Sequence, residues 1–514
     1  MLVSLFALAP ACGASLRPSG AEGGGQGGED GTGGAPAADA APRPDAGSGT
    51  GGTGFVQDAA VAADAAEAID VGQTADSARP DARPIGDAPP PIDDAPACKR
   101  KVPVSSLAAL QGAIAGAMPG DCVVVAAGRY TTTAPITIDR AGTAAARITV
   151  MAETIGGVTI DGAAGFAVNA PAAHVTIRGF HFLHAGGMKV ATGTTSCLVT
   201  RNAFELPGGA SFLTVAGTDN EVSFNSFQNK STAGAFLILD EDAITLRPYA
   251  HHNHFRNHTY PGSNGGEAIR VFATLPRVEH NLFEEIHVAG EIVSVKEGGS
   301  SMGGFYRFNT FRDCTRGFLT LRFARRDVVE GNFFFASPGI RVYGRDHRII
   351  NNYLEGGTIR LGDGAAGAYP GIDNVDVAFN TLVGARIDSE DRGDAGVPPQ
   401  NLRIANNIIQ AEGGLAVQER HPFVNVTYAG NILWGSAAPG SVPPTGFHRA
   451  DPQLDGYHLR PGSPAINAAS ASVMLPDDIE GQPRTMADVG ADELSTGPAA
   501  RGPLTANDVG PNGR

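Results

Sequence analysis

Six cations recur along the chain, each directly after an aliphatic residue: Leu246-Arg247, Ile269-Arg270, Val295-Lys296, Leu321-Arg322, Ile340-Arg341 and Ile359-Arg360. Successive cations lie 23, 26, 26, 19 and 19 residues apart. Within a strand the aliphatic member turns into a core and the next residue faces outward. If one strand is laid down per repeat, roughly 4.8 Å from the last, the six form a column of about 24 Å on one sheet face. Ordinary outward positions would carry acids as often as bases, and like charges stacked this closely repel. Such a column needs counter-charge, from a long anionic ligand or from acids of neighbouring loops. One carboxylate per sugar in a polysaccharide fits the spacing. Nucleic acid fits poorly, because the chain has a net charge of −15, one Trp and no interleaving of basic with aromatic residues. Lys296 lies between Arg270 and Arg322, where like-charge repulsion favours the neutral amine; the plain alternative is a solvated surface lysine.

The elements that must hold these cations are announced by a second, independent register. Ten segments repeat an Asn, one free position and a large apolar residue, from Asn202-Ala-Phe through Asn225, Asn253, Asn281, Asn309, Asn332, Asn352, Asn380 and Asn407 to Asn431-Ile-Leu. Gly179-Phe-His-Phe182 is a degenerate first copy. The asparagines are 20 to 28 residues apart. A unit of that length cannot bury its own apolar face and must stack on its neighbours. Each unit holds two or three short runs rich in Val, Ile and Phe that alternate in polarity, which is the period of strands. The sequence therefore predicts an all-β right-handed parallel β-helix, with Asn at a fixed corner. There it tolerates left-handed backbone angles and stacks its amide on the next coil's Asn.

The ends read differently. Residues 1–12 run apolar into Leu8-Ala-Pro-Ala-Cys12, which resembles a bacterial lipoprotein signal, although no Lys or Arg precedes the run and Ala9 replaces the usual Leu. The alternative is an ordinary cleaved signal with an incidental Cys. Residues 13–97 are Gly, Ala, Pro and Asp with a net charge of −10, a composition that predicts a disordered tether. Together these predict an exported bacterial protein: an outer-membrane or cell-surface lipoprotein, otherwise periplasmic or secreted, that meets a membrane only through a lipid anchor. The folded domain is expected over 98–495, opened by a short capping helix started by Ser105 or Ser106, with 496–514 a flexible tail. Cys98 and Cys122 are placed to clamp the cap in an oxidising compartment, and Cys197 and Cys314 read as buried thiols.

Several segments carry a more specific likeness. Asn264-Gly-Gly-Glu-Ala-Ile-Arg270, Glu291-Ile-Val-Ser-Val-Lys296, Asn309-Thr-Phe311, Leu319-Thr-Leu-Arg322, Glu330-Gly-Asn-Phe-Phe-Phe335 and Gly339-Ile-Arg-Val-Tyr-Gly344, followed by His347 and Asn351-Asn-Tyr353, resemble polysaccharide lyase family six. This is the chondroitinase B and alginate lyase group. The resemblance is strongest over about 260–356, and the coil pattern continues over roughly 100–495. It implies β-elimination across the glycosidic bond of a uronic acid polymer, most simply alginate. Lys296 is then the base that removes the C5 proton, and Arg322 stabilises charge and assists proton delivery to the leaving oxygen. Arg270, Arg341, Arg360, Arg247 and His347 are the expected substrate contacts.

The same resemblance implies a calcium ion that neutralises the uronate, with ligands at Asn264, at Glu291 and at the acid two residues earlier. Here that last position is Ala289, which leaves calcium doubtful unless water or Glu285 completes the site. Phe323 replaces a frequent His, and Glu297, an acid that opposes deprotonation of its neighbour, replaces a frequent Ser. The insert Gly298–Gly304 is expected to be a mobile loop over the site. These departures keep open a binding protein that has lost catalysis. Another β-helix enzyme, an epimerase or a glycoside hydrolase, is the further alternative; a hydrolase would need two acids facing one bond, and Glu267 and Glu291 are the acids near the column.

Overall fold

In a computed structural model, the described residues are 96–209, 211–239, 245–263, 265–296, 303–365, 369–390 and 396–514. The Cys12 leader and all but the last two residues of the 13–97 tether lie outside them, so those two expectations have no structural counterpart here.

The alternating runs form parallel strands laid one coil on the next. One face is a fourteen-stranded sheet, here sheet A, running from Arg100–Val104 to Val424–Ala429. Two further ladders, B and C, are joined through Leu282–Val295, which pairs with His254–His258 in B and with Gly266–Val271 in C. Antiparallel strand pairs among the described residues are confined to Gly364–Ala365 with Gly396–Val397 and Leu454–Asp455 with His458–Leu459. The parallel β-helix is therefore as expected.

Its regularity comes from two stacks. Each ladder Asn, from Asn202 to Asn407, donates both its backbone N–H and its side-chain amide to Oδ1 of the next Asn, as in Asn281 to Asn309 at 3.0 and 3.1 Å. The amide also donates to a backbone carbonyl, for Asn309 that of Val278 at 2.9 Å. All ten are buried, so every amide group needs the partner that the next coil supplies. In the first copy Phe180 fills the Asn place, and its N–H donates to Asn202 Oδ1 at 2.9 Å. Two residues on, Phe204, Phe227, Phe255, Phe283, Phe311 and Phe334 stack at 4.5 to 5.0 Å through the core.

One detail of the corner differs from expectation. The left-handed residue is the one before the ladder Asn: Phe224 (φ 52°), His252 (52°), His280 (52°) and Phe308 (57°). Asn is required for its amide, not for its backbone. The strained residues stack outside the coil at 4.7 to 5.1 Å, with Arg201 over Phe224 and Arg501 over Phe308. Ring contact offsets part of the cost of that backbone region, roughly 1–2 kcal/mol per residue.

The ends are packed. Helix Leu107–Ala115 starts at Ser106, whose hydroxyl accepts from the Ala109 N–H, and buries Leu110 and Ile114 against the first coil. A Cys98–Cys122 disulfide ties the cap down, and Cys197 and Cys314 are buried thiols, as expected. The 496–514 segment is a correction. It is no loose tail: Leu504 and Val509 bury with Leu282, the Leu504 N–H donates to Thr310 Oγ1 at 2.8 Å, and the Gly510 N–H donates to His252 O at 2.9 Å. The residues that hold it sit on the outer face of ladder B and on the adjoining corner row, which composition alone does not reveal. No helix among the described residues is long and apolar enough to cross a membrane.

Candidate active site

Sheet C presents the cations, but not in one column. The paired register runs Arg270, Ser294, Thr320, Arg341, Arg360 and Asp388. Lys296 and Arg322 lie two positions further along their strands than Ser294 and Thr320. The ladder continues there: the Lys296 N–H donates to Val271 O, that of Arg322 to Val295 O and that of Tyr343 to Leu321 O, at 2.8 to 3.0 Å. Two parallel rows thus share one face, the second reading Phe272, Lys296, Arg322, Tyr343 and Gly362. The aliphatic-then-cation pairing in the sequence merges these rows because positions two apart in a strand face the same way.

The counter-charge is built into the same strands. Glu267 Oε2 accepts from Arg270 at 2.7 Å and its Oε1 from Lys296 at 3.0 Å. Glu291 Oε1 accepts from Arg341 Nη2 at 2.9 Å and lies 3.7 Å from Arg322 Nη1. Arg360 pairs with Asp388 at 3.0 Å. The Glu267 and Glu291 side chains are 2% and 9% exposed, whereas Lys296, Arg270, Arg322 and Arg341 remain 17–25% exposed, so the acids lie beneath and the cations above. Burial alone would lift the Glu267 carboxyl; Arg270 and Lys296 more than offset it and hold the group below its usual range. Four cations over two carboxylates leave an excess of two positive charges facing solvent, enough for an incoming carboxylate. Glu267 was seen in the sequence only as a hydrolase alternative. A carboxylate three residues before its guanidinium partner breaks strand alternation, so periodicity does not show the pair.

Two expected contacts lie elsewhere. Arg247 sits at the corner before sheet A, with φ 52°, and pairs with Asp219 at 2.8 and 2.9 Å. It shares a left-handed row with Asp219, Leu275 and Asp346, not the sheet C face. His347 is buried at a corner of the same kind: Nδ1 accepts from the Asp327 N–H at 3.1 Å and Nε2 donates to Tyr343 O at 3.0 Å. Burial brings it down to about 4, so it is a neutral structural histidine and offers nothing to a substrate.

Beside Arg322 stands an aromatic group that the sequence reading missed. Its guanidinium lies 5.4 Å from the Phe323 ring and 5.2 Å from that of Tyr369, and Nη2 donates to the Tyr369 hydroxyl at 3.2 Å. Tyr369 is 47 residues from Arg322, in a loop that belongs to no repeat. The signal was the aromatic pair Tyr343 and Phe323 flanking the cations. Phe318 underlies both Arg341 and Arg360, at 5.7 and 5.3 Å.

Among the described residues the donors do not suit calcium, which takes six to eight oxygens. Ala289 offers no side-chain oxygen, and Asn264 lies outside the described residues, as does Glu297. Of the expected loop 298–304 only Gly303 and Gly304 are described. Glu291 is engaged on both oxygens, by Arg341 and Arg322 on one and by the Ser294 hydroxyl on the other. Glu285 is exposed at a left-handed corner position.

Known proteins share this architecture. A mannuronic acid-specific polysaccharide family 6 lyase from human gut microbiota is 22% identical with a TM-score of 0.57, over 68% of this chain and 90% of that one. The family 6 alginate lyase AlyGC is 24% identical with a TM-score of 0.64, over 80% of this chain and 58% of that one. A family 6 alginate lyase in complex with a trisaccharide is 17% identical with a TM-score of 0.60, over 81% and 95%. No curated protein matches the chain. The family model of chondroitinase B matches residues 104–374, more than half of the 514 residues. With the parallel coils and the sheet C cations inside that span, the chain belongs to the chondroitinase B family of β-helical polysaccharide lyases.

Proposed function

We propose that the protein cleaves a polyuronate, alginate above all, by β-elimination with Lys296 as base. The observation that carries this reading is the adjacent placement of Lys296 and Arg322 on one row, flanked by Arg270 and Arg341, over two buried carboxylates. The alginate lyases among the similar structures support alginate as the polymer.

Removing the C5 proton of a uronate places a second negative charge on its carboxylate, so the site must hold positive charge against that group. Arg322 and Arg341 supply it without water having to reorganise. Lys296 must leave Glu267 and present a lone pair to C5; Glu267 then keeps Arg270 as partner. Because the donor set does not suit calcium, the guanidiniums carry the neutralisation alone, and activity is expected to survive excess chelator. Export with a lipid on Cys12 belongs to the same reading. The Cys98–Cys122 disulfide supports an oxidising compartment, and mass analysis of the mature N-terminus tests the lipid.

The alternative is a polyuronate-binding protein without catalysis, and the Lys296–Glu267 ion pair favours it, since a base engaged as a donor has no lone pair to offer. The two readings separate in one assay. Incubation with alginate, polymannuronate, polyguluronate and chondroitin chains, read by the ultraviolet absorbance of the unsaturated uronate, is expected to show product with at least one polymer. Binding to a polymer without absorbance on any of them would leave the binding reading.

A further inference from the structure

We propose that the Tyr369 hydroxyl is the proton donor to the leaving glycosidic oxygen, an assignment that rests on the lyase reading above. Elimination needs a proton at O4 as the C4–O4 bond breaks. A guanidinium holds its proton too firmly to give it up readily, and serves better as a fixed positive charge. A phenolic hydroxyl held beside it is a general acid.

The structure places such a hydroxyl 3.2 Å from Arg322 Nη2 and fixes it from several sides. The Tyr369 ring stacks on Tyr343 at 4.6 Å and lies nearly parallel to Phe323 at 5.8 Å. Its backbone is pinned by two reciprocal hydrogen bonds with Ala365, at 2.9 and 3.1 Å. The fold also commits a glycine to this support. A Cβ on Gly362 would come within 2.0 Å of the Tyr343 ring, so only glycine lets that ring lie where it supports Tyr369. Tyr343 itself is buried and gives its hydroxyl to Glu390, whereas Tyr369 is half-exposed at the rim of the row.

Along the row the order is Lys296, Arg322, then Tyr343 with Tyr369 on it. Base and acid therefore stand on either side of the guanidinium, about one strand spacing of 4.8 Å from it on the base side. In the step, the C5–H bond breaks and its proton goes to Lys296 Nζ. The electron pair forms the C4=C5 double bond, the C4–O4 bond breaks, and O4 takes the Tyr369 proton. The phenolate, held by Arg322, is reprotonated from water, and Lys296 returns its proton to solvent.

The test uses the full chain with Tyr369→Phe, which keeps the ring and removes the hydroxyl. On the natural polymer kcat is expected to fall by ~10²–10⁴ with KM and Tm nearly unchanged. On a uronide whose C4 substituent is fluoride, a leaving group that needs no proton, Tyr369→Phe is expected to turn over like wild type. Lys296→Ala is expected to be inactive on both substrates. An active wild type with an equally active Tyr369→Phe on the natural polymer overturns the assignment, as does an equal loss on both substrates. A wild type that forms no unsaturated product from either substrate overturns the lyase reading, and the assignment with it.

Discussion

The Asn corner and the sheet C face are both stacks of one side chain per coil, yet only the first is regular. An amide is neutral and both donates and accepts, so identical residues satisfy one another from Asn202 to Asn431 with nearly constant 3.0 Å contacts. A cation only donates and repels its copies. The sheet C cations are therefore split between two rows, interrupted by Ser294 and Thr320, and underlaid by Glu267 and Glu291. In a solenoid, strict repetition marks what holds the coils together, and broken repetition marks where charge has been placed at a stability cost for another purpose.

This comparison breaks most sharply at Lys296 and Arg322. Lys296→Ala is expected to lower kcat on the cleaved polymer by at least ~10³, with polymer affinity within a few-fold of wild type, because the base goes and the groove stays. Arg322→Ala is expected to cost ~10²–10³ in kcat through lost charge stabilisation. Steady-state rates and equilibrium binding check both; a Lys296→Ala enzyme with normal rates would move the base elsewhere.

At the corner the loss is of stability instead. Asn309→Ala leaves the buried Asn281 backbone N–H without its acceptor, removes one acceptor of the Asn281 amide, and takes the amide donor from the Val278 carbonyl and from Asn332 Oδ1, which keeps only the backbone N–H of residue 309. About 3–5 kcal/mol of folding free energy is expected to go, at unchanged activity per folded molecule. Denaturant unfolding measures it, and a loss under 1 kcal/mol would show that the ladder is ornamental.

Acid is expected to act through the buried histidines. Burial pushes His252 and His280 down to about 3 and His184, His258 and His347 to about 4. A histidine depressed in the fold is neutral in both states above its unfolded value near 6.5. As pH falls below that value the unfolded chain takes up protons that the fold refuses, so stability is lost between about 6.5 and 4, by up to about 3 kcal/mol per group. Asp492, lifted to about 6 by burial, works in the opposite sense, as do Glu330, Asp478 and Glu493, which burial also raises. Thermal melts across that window are expected to show a steep fall, and a flat profile would contradict the burial of these rings.

The smallest effects separate the two placements of arginine. Arg341→Ala is expected to weaken polymer binding several-fold and reduce its salt dependence, since it removes a partly exposed charge from the face. Arg247→Ala, at an exposed pair with Asp219, is expected to change binding not at all and stability by less than about 1 kcal/mol. Equal binding losses would return Arg247 to the groove.

The sequence by itself determined the solenoid, the ten-Asn ladder, the capping helix, the disulfide pair and the recurrence of the cations that include Lys296 and Arg322. These follow from composition, period and local spacing, which are written along the chain. It did not determine the left-handed residue before each Asn, since Phe, His, Gly and Asn all stand there and only stacking with the next coil makes them acceptable. Nor did it show that Arg247 and His347 leave the face at corners, that the last nineteen residues pack on ladder B and its corner, or that Glu267 and Tyr369 join the cations. Register between coils of unequal length, and contacts between residues 29 and 47 positions apart, arise from how the coils close on one another. Only the assembled tertiary structure decides them.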